Sequence, residues 1–168
     1  LRLIRPKGVT VATAGAGDSI RLDPAVKLEV LSPFRPLSAD PGSFNDESLV
    51  LRVSYKEKSV LFAGDVQQEG QQRLLRYGKV LKSDVLKVPH HGSAYFLPAF
   101  YEKVGPRIAV ISVGAANRYG LPSPGTVREL QRLGAQIYRT DRDGAVLLRI
   151  YGAKLKTKTG RRSFRPAA

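Results

Sequence analysis

Three side chains able to bind a metal ion or move a proton stand at the ends of two apolar runs. The run Val60-Leu61-Phe62-Ala63 stops at Gly64-Asp65, and the run Val85-Leu86-Lys87-Val88 stops at Pro89-His90-His91-Gly92-Ser93. A carboxylate binds hard divalent cations and can bridge two of them. Asp65 has a second reading, because it precedes a helical segment and Asp is a favoured helix N-cap. His90 and His91 are the only histidines in the chain, and imidazole is a common metal ligand and proton carrier. Adjacent side chains of an extended chain point to opposite faces. One imidazole therefore enters a strand-edge site, and the other orients a neighbour or donates to a phosphate, unless the loop turns there. Gly92 permits such a turn, and Ser93 can cap it or bind an anion.

A second set lies in Asn117-Arg118-Tyr119-Gly120-Leu121-Pro122. Arg118 and Tyr119 can contact phosphate or stack on a base, or the segment is a surface turn built of turn formers. In Asn45-Asp46-Glu47-Ser48 the carboxylates are possible ligands, and a loop capped by Asn and Ser is the commoner meaning. No phosphate-binding glycine loop occurs, and no nucleophile elbow supports a Ser-His-Asp triad.

These side chains need elements to position them. The segment between the two apolar runs is long enough for one helix, expected over residues 66–77, with Gly70 weakening it by about 1 kcal/mol relative to Ala. Strand, helix, strand makes the two runs parallel neighbours through a crossover. Their C-terminal ends then share the sheet edge where open α/β sheets bind ligands, which brings Asp65 to the histidine pair. Strands are also expected over 19–22, 26–31, 48–55, 59–63, 84–88, 107–113, 136–139 and 145–151, and weakly over 9–14. The strand at 59–63 is apolar throughout and is expected to be buried on both faces. Helices are expected over 97–104, where Pro98 suits the first turn, and over 126–133. Residues 32–44 read as a loop and 140–144 as a hairpin turn. The sum is an antiparallel first part followed by β-α-β-α-β-α-β-β, an α/β chain without internal repeats. It divides into one domain over 1–153 and a basic, disordered tail over 154–168.

The chain has 168 residues and no cysteine, which excludes disulfides, thiolate-bound zinc and thiol nucleophiles. It has neither a membrane-helix window nor a signal-peptide pattern. Leu1 is not an initiator and Met is absent altogether, so the chain is expected to begin inside a larger protein or after processing. Its 28 basic and 14 acidic residues give a formal charge of +14. From Arg149 onward there are seven basic residues and no acid. Such a surplus points to a polyanion, with nucleic acid or anionic lipid as the candidates.

Between Asn45 and Leu148 the pieces NDESLVLRV, LFAGD, SDVLKVPHHGS, AVISVG with NRYG-x-P, and YRTDRDGAV occur in this order. In order and spacing they resemble the C-terminal part of the metallo-β-lactamase-like domain of ComEC-type DNA-uptake proteins. The resemblance implies an αββα sandwich, of which this chain holds only the C-terminal portion. It also implies a one- or two-metal site (Zn or Mn) that hydrolyses a phosphodiester during transformation. The family's bridging Asp falls on Asp65 and its His pair on His90 and His91. DNA and a membrane channel domain of the same polypeptide are the implied partners, at the extracytoplasmic face of the cell membrane. Two departures stand out. The family's main ligand cluster would lie upstream of Leu1, and Leu121 occupies a position where the family commonly has His.

Three readings follow. In the first, a metal-dependent nuclease uses Asp65, His90 and His91, while Lys87, Ser93, Asn117, Arg118, Tyr119 and the basic tail hold DNA. The second is a catalytically degenerate DNA-binding module of the same fold, which Leu121 favours. The third is a small-substrate hydrolase of that superfamily, against which the positive charge argues.

Overall fold

Two short turns start the sheet. In a computed structural model, which describes residues 8, 11–34 and 44–160, β1 (Ser19–Asp23) and β2 (Val26–Ser32) pair antiparallel across Pro24-Ala25. β3 (Val50–Tyr55) pairs with β2, and with β4 (Lys58–Phe62) across Lys56-Glu57. Both β3 and β4 are rich in residues that suit a pleated, half-buried surface. From β4 onward the pairing turns parallel. β5 (Val85–Lys87), β6 (Ile108–Ile111) and β7 (Gln136–Arg139) complete a seven-stranded sheet in sequential order. The architecture is a mixed α/β fold whose antiparallel half leads into a parallel half, in the expected order.

Crossovers carry α1 (Gln68–Leu74), α2 (Pro98–Val104) and α3 (Pro124–Arg132). Pro98 opens α2 at its first turn. Ser123 caps α3 by accepting a hydrogen bond from the Gly125 amide at 3.2 Å. All three helices contribute to one core. Leu61, Leu86, Ala109 and Ile111 of the sheet pack with Leu74, Phe100, Tyr101, Val104 and Leu130, nearly all fully buried.

Four expectations are corrected. β4 is not buried on both faces: Leu61 is fully buried, but Phe62 is 45% exposed, since helices cover only one side. The helix expected over 66–77 ends at Leu74 and tightens into 3-10 turns over Leu75–Leu81, broken at Gly78 (φ 53°, ψ −110°). The hairpin turn expected over 140–144 is a single helical turn, α4 (Thr140–Asp143). Asp143 accepts from the Arg139 amide at 2.7 Å, and the Thr140 hydroxyl bonds both the amide and carbonyl of Val113 at 2.7 Å. These contacts carry the chain off the main sheet, so β8 (Val146–Tyr151) does not pair with β7. Finally, the basic tail does not start at Lys154. β9 (Lys154–Thr159) pairs with β8 in a separate two-stranded ribbon, because Leu155, Thr157 and Thr159 alternate with three lysines at the strand period of two. The rest of the expected tail, 161–168, and most of the loop at 32–44 lie outside the described residues. So do residues 9 and 10 of the strand expected over 9–14, whose remaining residues form none.

Candidate functional site

The end of β4 and the end of β5 meet where the parallel crossover places them. The Gly64 carbonyl accepts a hydrogen bond from the His90 amide at 3.2 Å and another from the Lys87 ammonium at 3.2 Å. Lys87 Nζ lies 3.7 Å from Asp65 Oδ1. Burial holds the Lys87 ammonium below the usual lysine range, and the Asp65 charge opposes that shift. His91 Nε2 lies 4.0 Å from the same Asp65 oxygen.

The histidines are presented by an uncommon backbone. His90 (φ 44°) and His91 (φ 54°) are consecutive left-handed residues inside the 3-10 turn Pro89–Gly92. Such conformations cost of order 1–3 kcal/mol each and gather at functional sites. The turn is held by close packing. A Cβ at Gly92 (φ 79°) would meet Pro122 Cβ at 2.7 Å, and the Gly92 carbonyl accepts from the Ser123 amide at 2.8 Å. Behind the turn, fully buried Gln71 ties α1 to the following loop by accepting from the Leu97 amide at 2.7 Å.

This backbone gives the two imidazoles different tasks. His91 Nδ1 lies 2.7 Å from the Ser112 carbonyl. A carbonyl only accepts, so Nδ1 carries a proton, and in the neutral ring Nε2 is then the acceptor, 4.0 Å from Asp65 Oδ1. The bond to Ser112 is the outer hydrogen bond which orients metal-binding histidines. Two ligands of one tetrahedral ion with bonds near 2.1 Å sit about 3.4 Å apart, so 4.0 Å is close to a shared-ion spacing. His90 Nδ1 instead lies 2.9 Å from Gln67 Nε2.

Asp65 is free for such a role because Asp46 caps α1. Asp46 Oδ1 accepts from the Gln67 amide at 2.7 Å and the Gly70 amide at 2.8 Å. Its neighbours are spoken for as well: Glu47 pairs with Arg73 at 2.7 Å, and Ser48 Oγ accepts from the Asp65 amide at 3.1 Å. The cap was hidden in the sequence, since Asp46 lies a whole hairpin away from the helix it holds.

The other candidates divide. His90, His91, Ser93, Tyr119 and Leu121 line one cleft of about 590 Å³ together with Tyr95. Tyr119 is 85% and Tyr95 62% exposed, so both rings are available for stacking. Tyr95 went unread in the sequence; an aromatic three residues beyond the histidine turn was the available signal. Arg118 is exposed beside this cleft. Ser93 is buried, and its hydroxyl accepts from the Tyr95 amide at 3.3 Å. Asn117 closes its own loop, donating to the Gly114 and Leu121 carbonyls and accepting from the Leu121 amide, each at 3.0 Å.

Asp65 and His91 fit half of a tetrahedral ligand set, and an ammonium stands beside them. Among the described residues no group of three or more His, Cys, Asp or Glu side chains converges on one point. These residues alone do not make a metal centre. Nor, among them, is any helix long and apolar enough to cross a membrane.

No protein-family model matches the chain. It is similar to ComE operon protein 3 of Bacillus subtilis, with 35% identity over 150 residues, covering 89% of this chain and 19% of that protein. It is similar to competence protein ComA of Neisseria gonorrhoeae, with 35% identity over 123 residues, covering 72% of this chain and 17% of that protein. Recombination protein 2 of Haemophilus influenzae is 30% identical over 141 residues, covering 82% of this chain and 17% of that protein. The chain thus spans less than a fifth of the length of these relatives, and with them it belongs to the family of ComEC-type competence proteins.

Proposed function

We propose that these residues form one wall of a metal-dependent phosphodiesterase site in a DNA-uptake protein. The observation that carries this reading is the Asp65–His91 pair: a carboxylate oxygen and the imidazole Nε2 4.0 Å apart, with the imidazole fixed through Ser112. On this reading the sheet is the C-terminal portion of a metallo-β-lactamase-like αββα sandwich, and the remaining ligands come from outside these residues. A divalent ion (Zn or Mn) bound there would polarise a phosphoryl oxygen and lower the pKa of its water. Asp65 and His91 would hold it. Lys87 would hold the carboxylate in place, and His90 would hydrogen-bond a phosphate in the cleft. Tyr95 and Tyr119 would flank a strand of DNA, the substrate the family's competence role supports. The implied setting is a domain at the extracytoplasmic face, attached to a membrane channel of the same polypeptide.

The test is Mn²⁺- or Zn²⁺-dependent cleavage of DNA by the full-length parent protein, compared with its Asp65→Ala and His91→Ala variants. Loss in both variants, with His90→Ala milder, is the expected result. Cleavage unchanged by Asp65→Ala removes the proposed site. One observation favours a second reading, a DNA-binding module without catalysis. Leu121 lines the cleft and can neither ligate nor move a proton. Salt-sensitive DNA binding by the parent protein, with no cleavage under any metal, would select it.

A further inference from the structure

The β8–β9 ribbon has two unlike faces. Its register pairs Leu147 with Lys158, Arg149 with Lys156 and Tyr151 with Lys154, and all six residues are exposed. The opposite face, with Val146, Leu148, Ile150 and Leu155, is half-buried. The outer face therefore carries four cations, one aromatic ring and one leucine along a cavity of about 530 Å³.

This charge arrangement works against the ribbon's own stability. Arg149 faces Lys156 directly, and like charges directly opposite on a strand pair are destabilising. Several cations elsewhere are paired with acids: Arg52 with Glu29, Lys58 with Asp84, Arg73 with Glu47 and Arg139 with Asp141. Among the described residues no salt bridge reaches the four cations of the ribbon, and no acidic residue follows Asp143 in the sequence. A bound polyanion would supply the missing countercharge. Tyr151, 54% exposed at the turn, adds a stacking surface, and cations around an exposed ring are how single strands are held without base readout. The ribbon also starts beside the candidate site. Thr140, in the turn before β8, bonds Val113, and the adjacent Ser112 carbonyl bonds His91.

We propose that the outer face of the β8–β9 ribbon binds single-stranded nucleic acid, with Arg149, Lys154, Lys156 and Lys158 on phosphates and Tyr151 stacked on a base. This rests on the reading that DNA is the partner, but not on catalysis or a metal.

The experiment measures fluorescence anisotropy of a labelled single-stranded thymidine oligonucleotide, and of a duplex of equal length, over a salt series in EDTA with the full chain. Three proteins are compared with the parent chain: the triple variant K154Q/K156Q/K158Q, Tyr151→Ala, and a control triple, K56Q/K82Q/K103Q, that removes equal charge elsewhere. Thermal melts confirm that each is folded. In the ribbon triple, the slope of log affinity against log salt for the single strand is expected to be shallower by about 2, from roughly 0.7 per lost phosphate contact. Tyr151→Ala is expected to weaken single-strand binding about tenfold and leave the duplex unchanged, because a ring stacks only on an accessible base. The control is expected to lose far less. If the ribbon and control triples lose affinity equally, charge acts without location and the ribbon proposal fails, while DNA remains the partner. If the parent chain binds neither oligonucleotide, the DNA reading and the proposal fall together. If it binds only phosphatidylglycerol vesicles, and the ribbon triple abolishes that, the face is a membrane contact and the proposal is overturned.

Discussion

Gly70 offers a test in which local propensity and packing predict opposite signs. It lies inside α1, and exchanging a helical Gly for Ala ordinarily stabilises by about 1 kcal/mol. Here a Cβ at Gly70 would sit 2.7 Å from Asp46 Oδ1 and 3.1 Å from the Asp46 carbonyl oxygen. Asp46 is 2% exposed, and its carboxylate cannot swing away without releasing the amides of Gln67 and Gly70. Hydrogen bonds to a charged acceptor contribute about 1.5–3 kcal/mol each, and a buried donor left unpaired costs about 1–3 kcal/mol. Losing even part of this cap outweighs the propensity gain, so Gly70→Ala is expected to destabilise by about 2 kcal/mol net. Asp46→Ala, which removes the cap outright, is expected to cost about 3 kcal/mol, a fall in Tm of roughly 6–12 °C for a chain of this size. The decisive measurement is a double-mutant cycle by urea denaturation. Once Asp46 is Ala the obstruction is gone, and Gly70→Ala should turn stabilising by up to about 1 kcal/mol. If Gly70→Ala stabilises the wild-type background, or if the two changes add, the close packing of Asp46 on α1 is refuted.

Three further outcomes follow from the same structure. Gly92→Ala, at φ 79° and with Pro122 Cβ 2.7 Å from the new methyl, should destabilise by about 2–4 kcal/mol and shift the His90 and His91 imidazole resonances in NMR; unchanged resonances would separate the turn from the 119–122 loop. For Glu29, burial raises its pKa, but hydrogen bonds and charge from Lys27 and Arg52 outweigh it and hold the carboxyl below its ordinary 4.5. Its contribution to stability is therefore present above pH 4.5 and lost as pH falls through the lower folded value, so Glu29→Gln should melt below wild type at neutral pH and converge with it in acid. Phe62→Asp should change the melting of this chain little, since Phe62 is 45% exposed, yet cost the full-length parent protein several kcal/mol if the proposed sandwich covers that face; equal effects in the two would remove the covering layer.

Much of this was legible because it rests on short-range patterns. Alternation in 48–55 and the apolar runs ending at Asp65 and His90 are period and punctuation, and the crossover rule turns them into a shared edge. What stayed hidden depends on contacts remote in sequence or on backbone no residue type announces. Asp65 could be read as a cap because the true cap, Asp46, reaches α1 from before β3. The sequence left open whether the two histidines point apart, as in an extended chain, or the loop turns at them; their left-handed backbone turns it and gives each its own partner. The ribbon was misread for a different reason. KLKTKT carries a period of two but little hydrophobicity, and its charge suggested solvation more strongly than its spacing suggested a strand.

The proposed metal site and the half-open sheet face have a common geometric origin. Leu51, Phe62, Lys87, Val110 and Tyr138 stand in one row across the sheet, on the face opposite the helices. Within that row Phe62 is exposed and its neighbours are half-buried, whereas the row behind it, Leu61, Leu86 and Ala109, is sealed by the helices. Lys87 belongs to the open row and reaches from it to Asp65, so the candidate site lies at the rim of the open face. Any layer laid over Phe62 therefore approaches Asp65, Lys87 and His91. Burying a phenylalanine contributes about 1.5–3 kcal/mol, and the same approach can bring further ligands within reach of Asp65. The layer that would complete the core is then the layer that would complete the site.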